Sequence, residues 1–300
     1  MRRVVVLGAR GFFGRQAIRA LATVGIRAVG ASRHDGVDVE RRDTLRAFLR
    51  RGDVVLDAAG PFHVRTTALL DVALDVGADL VDLSDSAGYA SAIAAERARI
   101  DAGTIAVLTG CSAVSAVVAT LARASEVADP RSVDAWLAPA SRETAHVATA
   151  RAFIASVRPG PRRTCEFAPV SGFRVDSSLR IQLPAIWPSL ERADFWVDPH
   201  TRGFGPLLAL AAPVGVRLTR LLGAREGIVA VRIRGATEAR WVLRSPRGSY
   251  RLAIAPAVLA VRDLASGTRP LRGLVPADRM VDAAALIAYV ERLGITVTRL

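Results

Sequence analysis

The chain has 300 residues, 51% of them hydrophobic, with a mean hydropathy of +0.29. That is enough apolar material for one large or two moderate packed domains, and it excludes a disordered chain. The formal net charge is +13, and all 41 basic residues are arginine because the sequence contains no lysine. A lysine base, a lysine proton donor and a Schiff-base lysine are therefore excluded.

The arginines are scattered, with only short pairs such as Arg2-Arg3, Arg41-Arg42 and Arg162-Arg163. This distribution reads as a solvated basic surface rather than a specific nucleic-acid face. Two cysteines, Cys111 and Cys165, suggest neither a disulfide framework nor a zinc site, and no metal ligands are assigned. No signal peptide or membrane span is read, so a cytoplasmic location is expected. The most lipid-like stretch, residues 203–223, carries Pro206, Pro213, Arg217 and Arg220. It is expected to be a buried or interfacial helix, with peripheral membrane contact as the alternative.

In chain order, Arg3–Leu7 is a short β-branched run of the kind found in buried parallel strands. Glycines follow at 8, 11 and 14, then apolar residues at helical spacing through Phe13, Ala17, Ile18, Leu21 and Ala22. Arg27–Ala31 is a second strand, and Thr44–Leu49 a short helix with Asp43 as its cap. Asp53–Ala58 is a third strand, ended by Gly60-Pro61, and Thr66–Val76 a helix stopped by Gly77. Strand 79–83, helix 87–101, strand 104–109 and helix 113–124 continue the alternation. This order predicts an α/β fold with a doubly wound parallel sheet of Rossmann type over residues 1–127.

The alternation stops near Asp129-Pro130, and an α+β domain is expected over 128–272. There Ser132–Leu137 reads as a strand, 143–157 as a helix and Phe173–Leu183 as an alternating strand. Residues 228–233 and 239–244 form a hairpin pair, and 250–264 is a helix despite Pro256. A last helix, 278–293, precedes a terminal strand. The segment 273–300 is expected to pack back on the first domain.

The loop Gly8-Ala9-Arg10-Gly11-Phe12-Phe13-Gly14 has the chemistry of a pyrophosphate cradle. The first glycine permits the sharp turn, the second lets backbone N–H groups approach the phosphates, and the third lets helix and strand pack closely. The helix N-terminus adds a favourable field for the anion. An NAD site places a carboxylate at the end of the second strand, but that end here is Ala31-Ser32-Arg33-His34, with no carboxylate until Asp35. Ser32 and Arg33 suit a 2′-phosphate, and Arg10 could add a second clamp. NADP(H) is therefore favoured over NAD(H). Asp38 either flanks the adenine or caps the following turn.

The segment Asp53-Val54-Val55-Leu56-Asp57-Ala58-Ala59-Gly60-Pro61-Phe62 resembles the nicotinamide-side loop of saccharopine dehydrogenase-like oxidoreductases. The glycine loop has that family's spacing. Gly77-Ala78-Asp79-Leu80-Val81-Asp82-Leu83-Ser84 and Thr109-Gly110-Cys111-Ser112-Ala113-Val114-Ser115 are similar to two further family segments. Ser115 departs from the family's usual proline, and Asp85 stands where a glycine often occurs. The resemblance covers roughly residues 1–125, with a weaker likeness from Gly273 to Ile295. It implies NADP-dependent redox chemistry on a small molecule, a second domain that closes over the substrate, and a homodimer. It also implies that Gly60, Pro61 and Phe62 lie near the nicotinamide, with Ala58 and Ala59 of the same loop as cofactor-binding candidates.

His63 follows that loop directly and is the candidate proton donor, since imidazole titrates near neutrality. Ser84, Tyr89, Cys111 and Ser112 follow other strands and are candidate substrate contacts. Arg151, Arg174 and Arg202 are candidates for holding a substrate carboxylate or phosphate, and Trp187, Trp196 and His200 for lining a pocket. The alternative to an enzyme is a non-catalytic NADP(H)-sensing regulatory protein. A third reading, nucleic-acid or membrane-surface binding driven by charge, predicts binding that weakens steeply with salt.

Overall fold

The structure is a computed structural model and describes residues 1–144, 146–198 and 212–300. The chain forms two compact units, one of residues 1–120 and 253–282 and the other of residues 121–252 and 283–300.

In the first unit, β1 (Val4–Leu7), β2 (Ala28–Ala31), β3 (Val54–Asp57), β4 (Asp79–Asp82), β5 (Ala106–Leu108) and β12 (Gly273–Leu274) form one sheet. The order is β12-β5-β4-β3-β1-β2, and every pair is parallel. Strands β1, β3, β4 and β5 are buried throughout; β1 and β5 are wholly apolar, and β3 and β4 are apolar apart from Asp57, Asp79 and Asp82. Helices α1 (Phe12–Thr23), α2 (Arg42–Phe48), α3 (Ala68–Val76), α4 (Ala87–Ala95) and α5 (Arg97–Ala102) complete the alternation. One core cluster gathers Val5, Leu7, Leu45, Val55, Leu69, Leu70, Leu80, Ile93, Ile100 and Val107. The expected doubly wound fold is present.

The amino ends of the strands are held by ion pairs. Arg2 Nη1 lies 2.6 Å from Asp79, and Arg3 Nη1 lies 3.1 Å from Asp53. Asp79 also accepts the Ala106 N–H at 2.7 Å and so ties β4 to β5.

The second unit has a seven-stranded sheet in the order β13-β11-β10-β6-β9-β8-β7. Its strands are β6 (Ser132–Ala138), β7 (Arg163–Thr164), β8 (Ser171–Val175), β9 (Arg192–Val197), β10 (Gly227–Arg234), β11 (Glu238–Ser245) and β13 (Thr296–Arg299). Only the β6–β9 pair is parallel. The β10–β11 hairpin matches the expectation, and the unit is α+β.

Several elements differ from the sequence reading. The alternating stretch 173–183 is the end of β8 followed by a helix, Leu179–Ile186. Leu179 and Leu183 fit a period of two, but they are also i and i+4, and the helix buries both completely. Asp43 is not the cap of α2. That helix starts at Arg42, and Asp43 pairs with Arg41 at 2.6 Å. The stretch 143–157 is two helices, Ser141–Thr144 and Val147–Ser156. The last helix is shorter than expected, Ala283–Arg292, after a single 3-10 turn at Ala277–Arg279. Pro256 sits inside a continuous helix, Tyr250–Ser266.

Candidate functional site

Gly8 ends β1 with φ +72°, a left-handed backbone that favours glycine. A Cβ there would lie 2.8 Å from the backbone of Ala58 and Ala59, in the loop after β3. A Cβ on Gly14 would lie 2.2 Å from the Gly8 carbonyl oxygen. The Gly11 N–H donates to that carbonyl at 2.8 Å, and Gly11 is the N-cap of α1 without a side chain to fill the position. Gly30 on β2 makes a further close approach, because a Cβ there would meet the Ala9 side chain at 2.7 Å. The turn is thus shaped by four glycines, of which sequence reasoning named three.

The loops after β1 and β3 meet beside the point where the strand order reverses, since β1 pairs with both β2 and β3. Open α/β sheets bind ligands in the crevice at the carboxyl ends of strands at such a point. Here the backbones are in contact, and the amino end of a 12-residue helix faces the same turn. The residues present fit a pyrophosphate: a cradle any side chain would fill, and helix N–H groups lacking intrahelical partners.

The loop after β3 holds Ala58, Ala59, Gly60, Pro61 and Phe62, with a cis Gly60–Pro61 bond. Its support went unrecognised in the sequence. Arg65 donates from Nη1 to the Ala59 carbonyl at 2.6 Å, and its Nη2 lies 3.1 Å from the Asp57 carboxylate. Its Nε pairs with Glu40, which also accepts the Thr66 hydroxyl at 2.7 Å. The guanidinium lies 5.6 Å from the Phe62 ring centre and 5.9 Å from that of Tyr89. Burial works against charge on Arg65, but Asp57, Tyr89 and Glu40 outweigh it and its pKa is raised. One side chain thus binds the loop's backbone, its aromatic residue and the strand beneath.

Asp57 and Asp82 are register partners at the carboxyl ends of β3 and β4, and both are fully buried. Each closes the same local turn. Asp57 Oδ1 accepts the Ala59 N–H at 2.9 Å, and Asp82 Oδ1 accepts the Ser84 N–H at 2.9 Å. Asp82 Oδ1 also accepts the Gly110 N–H at 2.8 Å and so joins the loops after β4 and β5. Burial pushes Asp82 up to about 7, against the pull of those N–H donors. The signal was visible: each of two apolar parallel strands ends in an aspartate, a residue seldom fully buried without partners.

The candidate chemical residues separate by exposure. His63 is exposed on the turn that follows Pro61. Asp85, on the next loop, keeps access to solvent, yet the protein around it raises its pKa, with His63 opposing. Ser84, Tyr89, Cys111 and Ser112 are all buried. The Ser84 hydroxyl accepts the Ser86 N–H at 3.2 Å, and the Ser112 hydroxyl caps the next turn at the Val114 N–H. Burial, with Asp82 nearby, pushes the Cys111 thiol well up, and burial does the same for the Tyr89 phenol. These four side chains shape the strand ends from inside the unit.

At the end of β2, Arg33 is exposed and its side chain makes no ion pair or hydrogen bond among the described residues. Ser32 and Arg10 are both engaged. The Ser32 hydroxyl donates to Asp35 Oδ2 at 2.6 Å, and Arg10 Nη2 lies 2.6 Å from Asp35 Oδ1. The 3-10 turn Arg33–Asp35 folds this carboxylate back to the strand end. The Ser32 and Arg10 hydrogen bonds hold its pKa below the usual carboxylate value. Asp38 takes the capping role, accepting the Glu40 N–H at 3.0 Å. Asp35 also borders an open groove of about 380 Å³ whose walls include Val37, Thr44 and Phe48.

In the second unit, Arg174 pairs with Asp194 at 2.7 Å. Trp196 stacks on Trp136 with ring centres 5.0 Å apart. Arg202, His200 and residues 203–211 of the lipid-like segment lie outside the described residues. Residues 212–222 are helical. Among the described residues no helix is long and apolar enough to cross a membrane.

Fold and cradle together define a two-unit α/β protein whose first unit is of Rossmann type. Its structure is similar to that of saccharopine dehydrogenase (L-Glu forming) from Saccharomyces cerevisiae, with a TM-score of 0.58 at 12% identity. The match covers 100% of this chain and 99% of that one. An amine dehydrogenase from Mycobacterium smegmatis matches with a TM-score of 0.47 at 12% identity, over 93% of this chain and 95% of that one. What is shared with the saccharopine dehydrogenase at this identity is the fold. No family model matches the sequence, and no curated protein matches it.

Proposed function

We propose that the protein is an oxidoreductase that binds a nicotinamide dinucleotide, with NADP(H) favoured, and acts on a C=O, C=N or C=C group of a small molecule. The observation that carries this reading is the contact of Gly8 with Ala58 and Ala59 at the switch point, with the glycine-capped helix beside it. Gly8 to Gly14 would hold the pyrophosphate, Ser32, Arg33 and Arg10 the adenosine 2′-phosphate, and Gly60 to Phe62 would flank the nicotinamide. The dinucleotide, when bound, supplies the hydride acceptor or donor. The chain's own part is orientation, which Arg65 supports by fixing the Ala59 carbonyl, and proton exchange, for which His63 is the exposed group of suitable type.

The test is fluorescence titration of the purified protein with NADPH and NADH, followed by turnover assays with carbonyl, imine and enoyl panels. Saturable binding with turnover supports the proposal, and absence of binding by both nucleotides overturns it. Ser84, Tyr89, Cys111 and Ser112 being buried favours a second reading, an NADP(H)-sensing regulatory protein. Stoichiometric binding with no turnover on any panel selects that reading. The homodimer implied by the resemblance is checked by light scattering.

A further inference from the structure

We propose that Asp35 acts as a built-in competitor for the cofactor's 2′-phosphate. Its carboxylate occupies the anion seat formed by Arg10 and Ser32, so this one residue sets how far the site prefers NADP(H) over NAD(H). The inference rests on the dinucleotide reading above.

The seat consists of two donors that reach the same carboxylate from separate elements. Arg10 comes from the loop after β1 and Ser32 from the end of β2, and each meets a different oxygen of Asp35 at 2.6 Å. A guanidinium and a hydroxyl converging in this way would equally satisfy two oxygens of a phosphomonoester, because charge-assisted hydrogen bonds to carboxylate and phosphate have the same donors and similar lengths. Asp35 is charged when it sits there, and the seat holds one anion at a time. A 2′-phosphate gains Arg10 and Ser32 only if Asp35 leaves. If Asp35 stays, the phosphate meets a like charge and has only Arg33, which is exposed and unpaired among the described residues.

Asp35 is free to leave. Its side chain is 37% exposed, and it borders the open groove beside Val37 and Thr44. Its pairing with Arg10 is likewise exposed on the arginine side, so little burial holds it in place. A ribose 2′-hydroxyl makes the opposite demand. It donates to a carboxylate, so NAD(H) is served by Asp35 in position, as in sites that carry an acidic residue at the end of the second strand. The same carboxylate therefore opposes one cofactor and assists the other.

The experiment measures NADPH and NADH affinity of the full chain and of Asp35→Asn by fluorescence titration, with 2′,5′-ADP and 5′-AMP as competing probes. Asn keeps the size and removes the charge. The expected result is tighter NADPH and 2′,5′-ADP binding by about tenfold or more, with NADH unchanged or weaker. In the double variant Arg10→Ala/Asp35→Asn most of that gain disappears, since residues sharing one seat are not additive. A ratio of NADPH to NADH affinity within about twofold of the original overturns the inference while leaving the dinucleotide reading intact. If neither nucleotide binds either protein, both fall together. Because Asp35 is at the surface, an unchanged thermal midpoint confirms that the variant is folded.

Discussion

Asp57 and Arg65 form an ion pair at 3.1 Å in which both partners are buried, the carboxylate fully and the guanidinium to 3% exposure. The pair locks the end of β3 to the loop that follows it. Such a pair adds little net stability over an apolar replacement of both partners, but removing one partner strands a charge. Arg65→Met is therefore expected to lower stability by about 3–5 kcal/mol, read from urea unfolding near neutral pH. Burial raises the Asp57 pKa, so the deficit should shrink in acid as that carboxylate takes up a proton. A deficit below about 0.5 kcal/mol, the size of an ordinary surface change, would show that the pair is not buried in solution.

The pH dependence of stability should carry the mark of Asp82. Its folded pKa of about 7 lies above the unfolded value of 3.8, so the folded protein favours the neutral acid. Its contribution is fully present below about pH 4 and is lost as pH rises through about 7, by about 4 kcal/mol at most. Asp82→Asn keeps an acceptor for the Ser84 and Gly110 N–H groups and should flatten this part of the profile. Urea midpoints of the two proteins measured from pH 5 to 8 decide the matter, and parallel profiles would rule out Asp82 as the source.

In the second unit, three guanidiniums converge on one carboxylate. Arg232, Arg192 and Arg163 lie 2.9, 3.1 and 3.4 Å from Asp134 Oδ2, and Asp134 is completely buried. Arg232 is itself 2% exposed and its other carboxylate partner, Glu166 at 3.3 Å, is 71% exposed, so Asp134→Ala leaves a buried cation beside the Trp136 ring without its buried counter-charge. A loss of about 3–5 kcal/mol is expected. The double variant Asp134→Ala/Arg232→Met should be more stable than Asp134→Ala alone. Equal or lower stability of the double variant would refute the argument that the loss comes from a buried charge deprived of its buried partner.

Two glycines separate shape from local strain. Gly14→Ala forces a Cβ to within 2.2 Å of the Gly8 carbonyl, and a backbone atom cannot swing aside. It should destabilise the first unit by about 1–3 kcal/mol and abolish nucleotide binding. Gly25→Ala meets nothing within 4 Å and carries only the cost of its φ of +80°, about 1–2 kcal/mol. Nucleotide binding should survive there. Calorimetry and titration of both variants test the pair, and retained binding in Gly14→Ala would remove the cradle from the site.

Much of the first unit was legible because its signals are local. Short apolar stretches flanked by glycine, proline or aspartate mark the buried strands, and the strands fall where these stretches lie. The second unit was read less well, because a stretch such as 173–183 satisfies the periods of strand and helix together. Only the pairing of Phe173 to Val175 with β9 settles where the strand ends. Within the candidate site, the residues named from local spacing were the glycines at 8, 11 and 14. Those that act through long side chains were not foreseen, since Arg65, Glu40 and Asp57 look like three unrelated charges in an arginine-rich chain.

The sequence by itself determined the strand, turn and helix around Gly8 to Gly14. There each residue's conformation depends on neighbours a few positions away and on the missing Cβ atoms. Tertiary structure alone decided what the charges do. Arg10 reaches Asp35 across 25 residues, Arg65 reaches Glu40 across 25, and Asp101 caps the Leu274 N–H across 173. The physical reason is that a guanidinium or carboxylate takes its role from whatever counter-charge folding brings within about 3 Å, and sequence spacing leaves that partner open.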